Sequence, residues 1–70
     1  MAWVDIKSSN INKIKYEDTT NTLSIKFNSG YVYEFIGVEK AVYQSLLKAS
    51  SKGKFFHQNI KNKHEYKKIM

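Results

Sequence analysis

The sequence predicts an α+β fold: a three-stranded antiparallel meander covered on one face by a helix and followed by a second short helix. Three observations carry this. Two period-two segments flank a three-residue turn ending in glycine, a similar apolar–polar stretch precedes them, and residues 39–49 repeat apolar groups at helical spacing.

The hairpin is the sharpest local signal. Thr22-Leu23-Ser24-Ile25-Lys26-Phe27 alternates polar and apolar, as a half-buried strand does. Asn28-Ser29-Gly30 then turns the chain into Tyr31-Val32-Tyr33-Glu34-Phe35, with Gly30 supplying the left-handed conformation of a type I turn plus G1 bulge. A loop of that length sets Phe27 against Tyr31, Ile25 against Tyr33 and Leu23 against Phe35. Cross-strand partners share a face, so these six apolar groups lie on one side, with Ser24, Lys26, Val32 and Glu34 on the other.

Asn10 to Glu17 reads as the first strand, with Ile14 and Tyr16 pointing the same way, and Asp18-Thr19-Thr20-Asn21 is the polar turn after it. Trp3, Val4 and Ile6 are expected to pack beside the sheet. Its apolar face needs a cover. Val42, Leu46 and Ala49, with Tyr43 and Leu47 beside them, provide one, while Lys40, Gln44 and Lys48 sit elsewhere on the wheel. Ser50-Ser51-Lys52-Gly53 breaks this helix, with Gly53 available for a cap or turn. A second helix is expected from Lys54 to about Lys61, where Phe56 and Ile60 are four apart. Residues 62–70 are too polar to assign and are expected to fray, leaving a domain core at about 4–61 of a single domain, 1–70.

Seventy residues suffice for one domain, which buries only about 60% of its unfolded surface and so has a thin stability margin. Disulfides cannot supplement it, because there is no cysteine. His57 and His64 have no carboxylate cluster beside them, so neither a metal nor another cofactor is expected. Self-association remains open as a route to stability. The first residues lack the long apolar run of a signal peptide and no stretch approaches a membrane span, so a cytoplasmic location and no membrane partner are expected. Every basic residue is lysine, and Asn and Ile are frequent, as in proteins from AT-rich bacterial or phage genomes.

Charge is unevenly distributed. Residues 1–47 carry five Lys against five acids, whereas residues 48–70 carry seven Lys against Glu65 alone, so the whole net charge of +6 lies in the last third. Such asymmetry points to an anionic partner or to a solvated tail.

Ser8-Ser9-Asn10-Ile11, Ile14-Lys15-Tyr16 and Leu23-x-Ile25-x-Phe27-x-Ser29-Gly30-x-Val32-Tyr33-x-Phe35-x-Gly37-Val38 together resemble the KTSC domain family. Val42-Tyr43-x-x-Leu46-Leu47-x-Ala49-x-Ser51-Lys52-Gly53-x-Phe55-Phe56-x-x-x-Ile60-Lys61 extends the resemblance over residues 4–66. The family is named for a C-terminal extension of some lysyl-tRNA synthetases and also occurs as small stand-alone bacterial and phage proteins. The resemblance implies RNA binding through the synthetase association, and it aligns the family's Tyr-x-Tyr element with Tyr31 and Tyr33. Glu39 stands where the family often has proline. Lys61 stands where arginine is common, keeping the charge but not the bidentate fork.

The residues themselves give three candidate features. Tyr31 and Tyr33 could stack on bases, as aromatics of RNA-binding sheets do, but the register places them on the face a helix covers, which favours a structural role. Ser51, Lys52, Gly53 and Lys54 form a turn feeding a helix N-terminus, an arrangement suited to phosphate; the plain alternative is an ordinary turn capped by Ser51. Lys61, Lys63, Lys67 and Lys68, with Lys48, Lys52 and Lys54 and with Phe55, His57 and Tyr66 as aromatic neighbours, suit a phosphate backbone or form a solvated tail. His57 and His64 would share a face if the helix continued, but with Glu65 alone nearby they make no acid–base pair. No serine has a recognisable base, so no enzyme is expected.

The leading expectation is a non-enzymatic module that contacts RNA or DNA phosphates through Ser51, Lys52, Gly53, Lys54, His57 and Lys61. Two rivals are a small-nucleotide binder or sequestering protein, built as a homo-oligomer, and a phage-type inhibitor that docks on an acidic protein partner.

Overall fold

The computed structural model describes residues 3–70. In chain order it forms β1 (Val4–Asp5), β2 (Ile11–Glu17), β3 (Thr22–Phe27), β4 (Val32–Ile36), α1 (Lys40–Lys48), α2 (Lys52–Asn59) and β5 (Glu65–Lys68). The five strands make one antiparallel sheet in sequential order, β1-β2-β3-β4-β5. The α+β class holds, but the three-stranded meander is only the centre of a wider sheet.

The hairpin register is as expected: Leu23 lies opposite Phe35 and Ile25 opposite Tyr33. The Phe27 amide donates to the Tyr31 carbonyl at 2.9 Å, and Gly30 closes the turn at φ 99°. In β2 the pattern carries a fault that the sequence hides. Ile11 pairs with Phe27 but Lys13 with Lys26, so Asn12 is the extra residue of a β-bulge. The bulge reverses the side-chain parity. Ile11, Ile14 and Tyr16 are therefore all buried, though strict alternation would send Ile11 to the opposite face.

At the ends, two stretches join the sheet beyond the expected meander. Val4 and Asp5 pair with Ile14 and Lys13, placing Trp3 beneath the Lys15 and Lys13 ammonium groups at 4.9 and 5.6 Å from its ring centroid. Residues 65–68, in the segment expected to fray, pair with β4 instead: Phe35 with Tyr66, Tyr33 with Lys68, and Glu34 with Lys67. The Ile69 and Met70 amides both reach the Val32 carbonyl, extending the ladder to the chain's end. Local propensity would not hold this polar strand. The unpaired edge of β4, which offers a row of backbone donors and acceptors, does.

The core fills the space between one sheet face and the helices. Tyr43 and Leu46 are the buried residues of α1, with Val42 and Leu47 packed beside them, so the stripe is centred one residue later than Val42-Leu46-Ala49. Helix α2 begins two residues earlier than expected and buries Phe56, while its C-cap Ile60 is fully enclosed. Gly53 is thus a helical residue, not a turn. Tyr16 stacks on Tyr43 with centroids 4.7 Å apart, and its hydroxyl donates to the Val38 carbonyl at 2.7 Å. This ties the sheet to the segment entering α1. Burial raises both phenol pKa values above their ordinary range, and Asp18 and Glu39 add to the effect at Tyr16.

Candidate functional site

Because the helices cover the sheet incompletely, an open cleft of about 530 Å³ remains between α2, the hairpin turn and strands β4 and β5. Its aromatic wall follows from the registers already given. Tyr31, Tyr33 and Phe35 alternate on one face of the β4 segment, and Phe35–Tyr66 pairing brings the β5 ring to the same face. Phe27 and Phe56 complete the floor, meeting edge to face at 5.5 Å. Tyr66 lies tilted against Tyr33 and Phe35 at centroid distances of 5.5 and 5.6 Å. Edge-to-face and tilted contacts of this kind are favourable for aromatic quadrupoles and hold the rings in place.

The polar lining is of one electrostatic kind. His57 and Lys61 come from α2 and the residues just beyond it, Asn62 follows, and Ser9, Asn10, Asn28 and Ser29 close the opposite side. The Lys68 ammonium sits 4.2 Å above the Tyr31 ring, a cation–π contact at the rim. Among the described residues no carboxylate lines the cleft. Period two explains that on the β5 side: Glu65 and Lys67 alternate with Tyr66 and Lys68, so Glu65 falls on the open face with Glu34 and Ile36. The Asn28 side-chain amide donates to the Ser8 carbonyl at 3.0 Å, which fixes this lining residue against the Ser8–Asn10 segment.

Of the residues singled out in the sequence, the structure brings Tyr31, Tyr33, His57, Lys61 and Tyr66 together on this cleft. The tyrosines do not sit in the core as a pair. Tyr33 is half-buried, but Tyr31, the first residue after the turn, is 49% exposed. Ser51, Lys52, Gly53 and Lys54 lie at the α2 N-terminus and do not line the cleft. There the Ser51 hydroxyl accepts from the Lys54 amide at 3.4 Å, and the Lys52 ammonium donates to the Ala49 carbonyl at 3.0 Å. Both groups thus serve local helix ends. Gly53 packs against the Ser8–Asn10 segment, with its missing Cβ 3.7 Å from Asn10 Cβ. Lys54 is exposed one turn before His57 on α2, and Lys61 follows just beyond the helix end, where it lines the cleft with His57.

The two histidines part company because α2 ends at Asn59. His57 faces the cleft, while His64 Nδ1 lies 3.3 Å from the Ile60 carbonyl beside a separate groove between α1 and α2. Sequence reasoning missed the site's Ser9, Asn10, Asn28 and Asn62, and it missed Lys68 as a partner of Tyr31. The alternation Glu65-Tyr66-Lys67-Lys68 was the one available signal for the β5 contribution, and a single apolar residue makes it faint.

A family model described as the KTSC domain matches residues 7–66. A lysine–tRNA ligase of Trichormus variabilis is 43% identical over 63 residues, which make up 90% of this chain but 11% of the ligase. The chain therefore spans about a tenth of the length of such relatives. An uncharacterized protein of Stutzerimonas stutzeri is 34% identical over 64 residues, 91% of this chain and 90% of that one. The crystal structure of a KTSC domain protein from Yersinia pestis superposes with a TM-score of 0.92 at 34% identity, covering 99% of this chain and 97% of that one.

Proposed function

The chain belongs to the KTSC domain family, and on that premise we propose that it is a non-catalytic cytoplasmic module that binds the phosphate backbone of nucleic acid. The observation that carries the reading is the convergence of His57 and Lys61, with Lys68 over Tyr31, on an aromatic cleft whose lining holds no acid among the described residues. Clustered ammonium groups are sufficient for sequence-independent phosphate contact, because each phosphate neutralised releases condensed counterions. Several relatives are lysine–tRNA ligases, a name that refers to an RNA, which supports RNA over DNA as the first ligand to try.

The assignment of roles shifts with the geometry. Lys61 and Lys68 stand at the cleft and Lys54 extends the positive track along α2. Lys52 and Ser51 act chiefly as helix-end ligands. Binding is expected to be modest and steep in salt. With three lysines engaged on a single strand, log K should fall with log salt at a slope of about 2, from roughly 0.7 per phosphate. Fluorescence anisotropy of a labelled RNA oligonucleotide across a salt series tests this. Lys61→Gln should lower the slope by about 0.7. Affinity that is indifferent to salt would refute the proposal.

A further inference from the structure

We infer that the cleft between α2 and the β4–β5 edge binds one unstacked nucleobase, with the attached phosphate on the basic rim. The module then takes single strands, strand ends or free nucleotides in preference to intact duplex. The inference rests on the nucleic-acid reading above and sharpens it to a ligand geometry.

Three properties of the cleft argue for a base. First, it offers ring surface that the fold does not use. Tyr66 is 56% exposed and Tyr31 49%, and Tyr66 meets Tyr33 and Phe35 only at tilts of 44° and 36°. Exposed tyrosine is common, but two such rings beside a half-buried third, all at one cavity, form a platform of the sort on which bases stack. Second, its size is right. About 530 Å³ falls within the 300–1,000 Å³ typical of sites for small organic ligands. A base already stacked on both sides in a duplex cannot enter without being flipped out at a cost. Third, the surroundings match a base joined to an anion. Asn10, Asn28 and Asn62 offer amide donors and acceptors to a base edge, while Lys61, His57 and Lys68 offer only positive or neutral groups to a phosphate.

The Lys68 ammonium over Tyr31 adds a further point. One face of that ring is occupied by a cation held by strand β5, so a phosphate arriving beside Tyr31 meets a preplaced charge. Both the platform residue Tyr66 and this cation come from β5, so the C-terminal strand completes the site as well as the sheet.

The test is anisotropy titration of the wild-type protein with one labelled octanucleotide, presented single-stranded and in a blunt duplex, with mononucleotides as competitors. The single strand should bind at least about tenfold more tightly than the duplex. Tyr66→Ala should lose about tenfold or more on the single strand and leave duplex binding unchanged, while Tyr66→Phe should stay within about twofold of wild type. Tyr31→Ala, nearer the hairpin turn on the same wall, provides a second variant, and thermal unfolding checks that each remains folded. Competition by mononucleotide at micromolar concentration would identify free nucleotides as the natural source, and competition only at millimolar concentration would identify strands; either supports the base site. Salt-dependent binding that ignores Tyr66→Ala and Tyr31→Ala and does not distinguish strand from duplex overturns the base site alone. Absence of binding to every oligonucleotide at low salt overturns it together with the phosphate reading.

Discussion

Replacing Gly53 by alanine should stabilise the protein, although glycine in a Ser-Ser-Lys-Gly-Lys sequence invites the opposite expectation. Gly53 is the second residue of α2 and is absent from the glycines with positive φ, which are Gly30 and Gly37. A Cβ built there meets Asn10 Cβ and Ser8 Oγ at 3.7 Å and Asn10 Nδ2 at 3.8 Å, ordinary van der Waals contact that demands no movement. What remains is the entropy that alanine removes from the unfolded chain, about 0.4–1 kcal/mol where the native conformation suits both residues. A first-turn position favours the lower half of that range. For a domain of this size, about 0.5 kcal/mol corresponds to a rise in Tm of about 2–4 °C. Circular dichroism at 222 nm against temperature, with urea unfolding as a second measure, reads it directly. Gly30→Ala supplies the contrast: at φ 99° it should destabilise by about 1–2 kcal/mol. Loss of stability in Gly53→Ala by more than about 0.5 kcal/mol would refute the helical placement of Gly53 and its spacing from the Ser8–Asn10 segment.

Further outcomes follow from the core and the edge. Ile60 is fully enclosed, so Ile60→Ala should cost about 2–5 kcal/mol in urea unfolding, a large part of a small domain's stability. Tyr16→Phe leaves the Val38 carbonyl without its buried donor and should cost about 1–3 kcal/mol by the same measure. The raised phenol pKa values of Tyr16 and Tyr43 fix a pH dependence. Their contribution is whole below the unfolded value near 10, and it is lost as pH rises from there through the folded pKa, because the unfolded chain ionises first. Urea midpoints between pH 8 and 11.5 should therefore fall less steeply in Tyr43→Phe than in wild type. Truncation after residue 64 removes β5. It should expose the β4 edge, lower the unfolding midpoint and speed amide exchange in residues 32–36, and unchanged exchange there would contradict the pairing.

The elements legible in the sequence were those whose pattern is enforced locally. Between Thr22 and Phe35 strict alternation and a Gly-ended turn fix strand, register and face together, and the turn needs the φ that Gly30 adopts. Helix α1 was legible from its apolar stripe, with an error of one residue in its centre because Tyr43 reaches the core past Val42 to stack on Tyr16. The bulge at Asn12 was hidden, since a bulge is an interruption of the very period by which a strand is read. Strand β5 was hidden for a different reason. Glu65-Tyr66-Lys67-Lys68 carries only a faint strand signal of its own, and the strand pairs along the edge that β4 would otherwise leave open.

The same distinction governs the site. Tyr31, Tyr33, His57 and Lys61 could each be nominated from residue type, but their convergence depends on where α2 starts and on β5 lying beside β4. The Ser51–Lys54 turn drew attention through its chemistry. In three dimensions its hydroxyl and one ammonium group satisfy the ends of α1 and α2. The positive charge of the last third is accordingly divided, part of it tied into helix ends and the open sheet face, and part gathered at the cleft.

On our proposal, this KTSC domain meets its ligand in the cleft between α2 and the β4–β5 edge. Mapping amide and aromatic chemical shifts on titration with a short single-stranded RNA tests it most directly. The largest perturbations should fall on Tyr31, Tyr33, His57, Lys61, Asn62 and Tyr66. Perturbations centred on Trp3, Lys13, Lys15 and Lys26 across the open sheet face, or none at low salt, would contradict it.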